Sequence, residues 1–199
     1  MERKNKTTMK NKLIIISGYP ASGKTTFAIR LSKILHLPFF NLDSIKNAIG
    51  KVIKANNWED SKNLGNSSFF VLMYILENLM KFNKRLIIEN SFIKEHEMPI
   101  KSLLEKYEYE SLTYKFECNS KILHRRFIER EYSSERDISN KVYGVWDDFK
   151  IFERDIKLFN DFYTGGEVVN IVTSNFEKIN FDKYINIAKI FINKKPNGT

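Results

Sequence analysis

Leu13-Ile14-Ile15-Ile16-Ser17-Gly18-Tyr19-Pro20-Ala21-Ser22-Gly23-Lys24-Thr25-Thr26 is the stretch that decides the fold. Leu13 to Ser17 is a continuous aliphatic run without polar alternation, the pattern of a strand buried on both faces of a parallel sheet. Gly18 to Thr25 spells G-x-x-x-x-G-K-T, a phosphate-binding loop. Beyond it, from Thr25 to His36, Phe27, Ile29, Leu31, Ile34 and Leu35 fall mostly on one helical face. Strand, glycine loop and helix stand in the order that the loop's mechanics need. Glycines let backbone N–H groups turn inward around phosphate oxygens, and the helix N-terminus adds the positive end of its dipole. Gly18, Ala21, Ser22, Gly23, Lys24, Thr25 and Thr26 are therefore the candidate nucleotide-binding residues. Lys24 can reach the β- and γ-phosphates and the Thr25 hydroxyl can ligate Mg²⁺, so ATP and Mg²⁺ are the expected substrate and ion.

Working outward, strands and helices alternate. Leu37 to Leu42 reads as a second strand, followed by a helix over 43–54 with Asp43 or Ser44 as its N-cap. Residues 55–68 read as a loop, with Ser67 or Ser68 capping a helix that ends near Phe82. A buried strand over 85–90, a helix over 95–107 and a strand over 111–117 follow. The basic segment 121–131 is helical in pattern, 132–140 reads as a mobile loop, and 142–162 as one long helix. Gly165-Gly166 ends that helix before a last strand over 168–172 and a closing helix over 182–192. This alternation specifies an α/β fold with a parallel sheet, in one domain spanning 13–192 with a lid at about 120–141. Residues 1–12 and 193–199 read as short tails.

The chain of 199 residues is 42% hydrophobic and 14% aromatic, enough for a sizeable core and against disorder. Its formal net charge of +9 hints at nucleic acid, but residues 1–12 carry +4 and 189–199 carry +3, leaving +2 for the body. Lysine, isoleucine and asparagine make up about a third of the chain, a bias that codon usage alone can produce. The single cysteine, Cys118, excludes an internal disulfide and a cysteine-based zinc site, and the three histidines lack ligand spacing. No apolar run is long enough to span a bilayer, and the one before Gly18 is too short for a secretion signal. A cytoplasmic protein without membrane partners is the expectation.

The absence of D-x-x-G and N-K-x-D sequences argues against a GTPase, and no transporter-ATPase signature occurs. The third strand ends Ile87-Ile88-Glu89-Asn90, without an Asp-Glu pair, which suits phosphoryl transfer better than a motor. Glu89 can hold a magnesium-bound water or cap the next helix. Asp43 follows the second strand at the carboxyl edge of the sheet, where such folds place ligands. A carboxylate there can take the proton of an attacking hydroxyl, or simply cap its helix. Arg126 and Arg130, four residues apart, share a helical face and can clamp a transferring phosphoryl group, or pair with Glu129 and Glu131. Lys24, Asp43, Arg126 and Arg130 are the candidate catalytic set. Trp58, Phe69, Phe70 and Tyr74 lie where an acceptor pocket can form, though the apolar company of Trp58 favours a core or loop-anchoring role.

The order phosphate loop, strand-end aspartate, buried strand, Arg-x-x-x-Arg helix and polar loop resembles the small P-loop kinases. Within them it is most similar to the AAA-type predicted kinases related to polynucleotide 5′-kinase and chloramphenicol phosphotransferase, over roughly residues 13–175. The resemblance implies a three-layer P-loop NTPase fold whose five parallel strands run in the order 2-3-1-4-5. It implies Asp43 as general base, Arg126 and Arg130 as lid arginines, and transfer from ATP to an acceptor hydroxyl, that of a small molecule. Three residues after the aspartate, polynucleotide kinases carry an arginine for the acceptor phosphate where this chain has Lys46, a point charge without the planar fork. Two other readings of the same residues stay open: a polynucleotide 5′-hydroxyl kinase, and a non-catalytic nucleotide-binding regulator or toxin–antitoxin component.

Overall fold

The computed structural model describes residues 11–194. Of the two expected tails, residues 1–10 and 195–199 lie outside the described residues. Strand β1 (Asn11–Gly18) is buried from Lys12 onward because it is paired in parallel on both sides. Its neighbours are β3 (Leu86–Glu89) and β4 (Tyr109–Glu117), and β2 (Phe39–Asn41) and β5 (Glu167–Val172) close the edges. The order is β2-β3-β1-β4-β5, all parallel, as expected. Successive side chains of β1 point to opposite faces, so the isoleucine run feeds two cores at once. Leu13 and Ile15 join Leu72, Leu76, Met80, Ile100 and Leu104, carried by α3 (Trp58–Lys81) and α4 (Glu97–Lys106). Ile14 and Ile16 join Phe27, Leu31, Ile185 and Phe191, carried by α1 (Lys24–Leu35) and α7 (Phe181–Asn193). Helix, sheet and helix make three layers, an α/β fold around a five-stranded parallel sheet.

A third apolar cluster, around Leu123, Phe127, Trp146 and Phe152, joins α5 (Ser120–Glu131) to α6 (Phe149–Asp155). Tyr19 and Trp58 pack against it, with the Trp58 ring 6.0 Å from that of Trp146. Trp58 therefore anchors the start of α3 beneath the segment after α5, the packing role its apolar company suggested.

Four stretches depart most from the sequence reading, each for a physical reason, and the helix read over 43–54 ends earlier, at Gly50. Strand β1 begins at Asn11, and Lys12 is buried in it against Glu110, with its Nζ 4.8 Å from the centre of the Phe191 ring. Helix α3 starts about ten residues early. Asn57 caps it by accepting the Asp60 N–H at 2.9 Å, and Ser61 and Leu64 extend its buried face through a stretch whose polar composition imitates a loop. Ser68 caps nothing; its hydroxyl bonds back to the Leu64 carbonyl at 2.6 Å. The long helix over 142–162 does not form. Tyr143 (φ 53°) and Gly144 (φ 76°) are left-handed, and Asp148 caps α6 only afterwards. Within 132–140, read as a loop, Ser139 and Asn140 are buried in a 3₁₀ turn (Ile138–Asn140) while Tyr132, Ser134, Glu135, Asp137 and Ile138 stay exposed.

Candidate active site

The loop leaves β1 with Gly18 at φ 118°, passes Ala21 at φ 57°, and enters α1 through Gly23 at φ 89°. A Cβ on Gly18 would lie 2.1 Å from the Phe116 carbonyl oxygen. Gly18→Ala is expected to destabilise the fold by about 1–3 kcal/mol, read as a lowered thermal midpoint. No side chain caps α1, so the orphan N–H groups of its first turn remain open to an anion. Ser22 is buried and donates to the Tyr19 carbonyl at 2.7 Å, and Thr26 is exposed in the first turn. Lys24 is buried at 6% exposure, its Nζ donating to the Tyr19 carbonyl at 2.5 Å and to Ser91 Oγ at 3.0 Å. Burial pushes its ammonium down to about 8, against the favourable charges of Glu89 and Asp43.

Glu89 ends β3 beside Ile16 of β1 and Asn41 of β2, which puts its carboxylate at the carboxyl edge of the three strands. The Thr25 hydroxyl donates to Glu89 Oε2 at 3.0 Å, and Asn41 Nδ2 donates to the same oxygen. Burial pushes the Glu89 carboxyl up, and Lys24 pulls it back. Glu89 thus caps no helix. Thr25 and Glu89 offer oxygen donors that suit Mg²⁺. Among the described residues no group of three or more His, Cys, Asp or Glu gathers.

Asn41 also decides the fate of Asp43. Its Oδ1 accepts the Ser44 N–H at 2.7 Å, so Asn41 is the N-cap of α2 (Leu42–Gly50), in place of Asp43 or Ser44. The Asp43 carboxylate, in the first turn and half-exposed, is left for other work. Its charge bears on Lys24, Lys46, Glu89 and Arg130, which places these groups around one space.

Arg126 and Arg130 part company. Arg130 turns inward beside Lys24 and Asp43; desolvation there pushes its guanidinium below its usual range. Its Nε is buried without a hydrogen-bond partner, and no ion pair with Glu131 forms. Arg126 instead donates to the Thr173 carbonyl at 2.9 Å and lies 5.8 Å from the centre of the Phe176 ring. Phe176 itself packs on Gly23 at the outer side of the loop. The structure therefore brings together Lys24, Thr25, Asp43 and Arg130, with Arg126 one helical turn away.

Arg136 escapes the sequence reading, and Glu131, offered there only as a partner for Arg130, takes a different role. Arg136, 11% exposed, puts Nη1 4.0 Å from Asp43 Oδ2. It is held by Glu131 Oε2, 3.3 Å from its Nε, and by the Asn140 carbonyl. Glu131 is buried at 2% exposure, and its other oxygen accepts the Val142 N–H at 2.6 Å. A carboxylate four residues after Phe127, on the row that begins at Leu123, is the signal that could have found it. Arg136, in an aperiodic segment, gives no such signal.

No protein-family model and no curated protein matches the chain. Solved structures do. A "putative kinase" from Chloroflexus aurantiacus superposes with a TM-score of 0.78 at 20% identity, covering 90% of this chain and 97% of that one. A sugar kinase from a Janibacter species gives 0.57 at 14% identity, over 94% and 96%. A gluconokinase from Sinorhizobium meliloti gives 0.52 at 13%, over 92% and 93%. At these identities what is shared is the fold: this chain has the three-layer α/β architecture found in kinases.

Proposed function

We propose that this chain is an ATP-dependent phosphotransferase that moves the γ-phosphoryl group to a hydroxyl of a small molecule. Its relatives would be the P-loop kinases akin to polynucleotide 5′-kinase and chloramphenicol phosphotransferase. The observation that carries the reading is the convergence of Lys24, Asp43 and Arg130, whose Nε is buried without a hydrogen-bond partner, at the open N-terminus of α1. A buried guanidinium N–H without a partner is costly unless an anion completes it. The small-molecule acceptors in the names of the sugar kinase and the gluconokinase favour that branch over a polynucleotide.

In this reading the loop amides and Lys24 hold the β- and γ-phosphates. Thr25, with Glu89 behind it, holds Mg²⁺, which supplies neutralisation of phosphate charge. Asp43 takes the proton of the acceptor hydroxyl as its oxygen bonds to the γ-phosphorus. The bond to the bridging β–γ oxygen breaks and ADP leaves. Arg130 balances the charge on the equatorial oxygens. Arg126 and Phe176 lie toward the nucleoside end and serve ATP binding rather than the transfer.

Lys24 gives this a pH signature. A polyanion needs the ammonium form and raises its pKa on binding, so affinity is full below the free value and falls as pH rises through about 8. Calorimetric titration with AMP-PNP and Mg²⁺ should show that loss in the wild type, and a weakened, flatter profile in Lys24→Met. The test of the acceptor class is a transfer assay with small alcohols and with a 5′-hydroxyl oligonucleotide at rising salt. Transfer to small alcohols at unchanged salt supports the reading. Transfer to the oligonucleotide alone, with affinity falling steeply in salt, replaces it with the polynucleotide reading.

A further inference from the structure

The side of α2 opposite Asp43 opens onto a surface that the phosphate chemistry does not use. Asp43, Lys46, Asn47 and Gly50 fall on one side of the helix, and Ser44, Ile45, Ala48 and Ile49 on the other. This second row walls a groove of about 580 Å³, closed by Phe39 and Phe40 of the edge strand β2 and by Val71 of α3. The polar groups of the wall are already paired. Ser44 Oγ donates to Asn41 Oδ1 at 3.0 Å, and the Asn41 amide donates to Glu89. Beside the groove, the outer stripe of α3 presents Phe70 (72% exposed), Val71 (39%) and Tyr74 (70%), and Val52 (85%) continues the α2 row past its end. Ser67 and Asn78 of the same stripe turn donors back to the carbonyls of Asn63 and Tyr74. From 63 to 76 the helix carries no charged residue, in a chain that is 29% charged.

We infer that this face binds a second copy of the chain, in a two-fold dimer where Phe70 and Tyr74 of each protomer enter the groove of the other. A two-fold contact needs one patch that carries both a projection and the hollow that receives it, and here they lie side by side on α3 and α2. Phe70, Val71, Tyr74 and Val52 together leave about 500 Å² of largely apolar surface open, more than a monomer ordinarily shows and close to the apolar share of a homodimer face of about 800 Å². Charge points the same way. A chain of net charge +9 repels its copies, so a lasting contact between them needs a face without charge, and the stripe over 63–76 is one. A small polar ligand would need convergent polar groups, and those of this wall are spent on one another and on Glu89. None of these projecting side chains belongs to the phosphate site, so the dimer stands or falls independently of the kinase reading.

Sedimentation equilibrium of the full chain, from low to high micromolar, tests the dimer directly. The expected result is twice the mass of the chain, with association weakened at least tenfold in Phe70→Glu and in Tyr74→Lys. Ala48→Arg, which fills the groove from an exposed position of α2, should weaken it as much through the opposite half of the contact. Ile190→Ser removes a comparably exposed apolar side chain from α7, in the opposite layer, and should leave the dimer unchanged. All four positions are exposed, so each variant should keep the wild-type thermal midpoint, which separates a lost contact from a lost fold. A wild type that stays monomeric throughout overturns the dimer and leaves the face to a different protein. A dimer that survives Phe70→Glu, Tyr74→Lys and Ala48→Arg, or that Ile190→Ser disrupts equally, overturns it too.

Discussion

Asp43→Asn is expected to lower kcat by about two to four orders of magnitude while leaving AMP-PNP affinity within about two-fold. Its carboxylate caps no helix, because Asn41 does so, and it fills no hydrogen bond that the fold depends on. The amide is nearly isosteric and cannot take a proton. The loss should therefore fall on kcat rather than on stability, with an unchanged thermal midpoint as the control. Near-wild-type transfer by Asp43→Asn would remove the base from the account and leave Lys24 and Arg130 with positioning and charge alone.

Arg130→Met should have an effect of the same order or larger, about three to five decades in kcat, with the opposite sign on stability. In the ligand-free protein Arg130 is a desolvated cation whose Nε has no partner and whose neighbours include Lys24 and Arg136, both of like charge. Methionine keeps most of the apolar volume and removes the charge, so the ligand-free thermal midpoint should rise. A variant that is more stable and nearly inactive would mark a group kept for an anion rather than for folding. Lower stability together with retained transfer would show a structural role.

The fold was legible because its deciding signals are local. Adjacent isoleucines at 14, 15 and 16 must serve two faces at once, and only a central parallel strand allows that. The loop after them needs backbone at positive φ at Gly18 and Gly23, which the spacing of glycines announces. Asp43 was legible as a strand-end residue, but its freedom from capping was not, since Asn41, Asp43 and Ser44 are all competent caps and only tertiary placement selects among them. The start of α3 was hidden because asparagine and glycine at 63–66 lower helix propensity, whereas burial of Ser61 and Leu64 overrides it. The helix expected over 142–162 had the right apolar spacing. Its Tyr143-Gly144 step turns left-handed so that Val142 and Trp146 can both enter the cluster around Phe127. Arg136 was illegible for a related reason: it reaches Asp43 because Glu131, buried on another element, holds it there.

The most direct test of the central claim follows the label. The full chain is incubated with γ-³²P-labelled ATP, Mg²⁺ and a panel of small polyols and hydroxy acids, and products are resolved by chromatography and mass spectrometry. The account predicts label on an acceptor oxygen, formed in step with ADP and lost in Asp43→Asn and Arg130→Met. Tight ATP binding with no labelled acceptor across the panel, or release of inorganic phosphate alone at a rate indifferent to both substitutions, would contradict it.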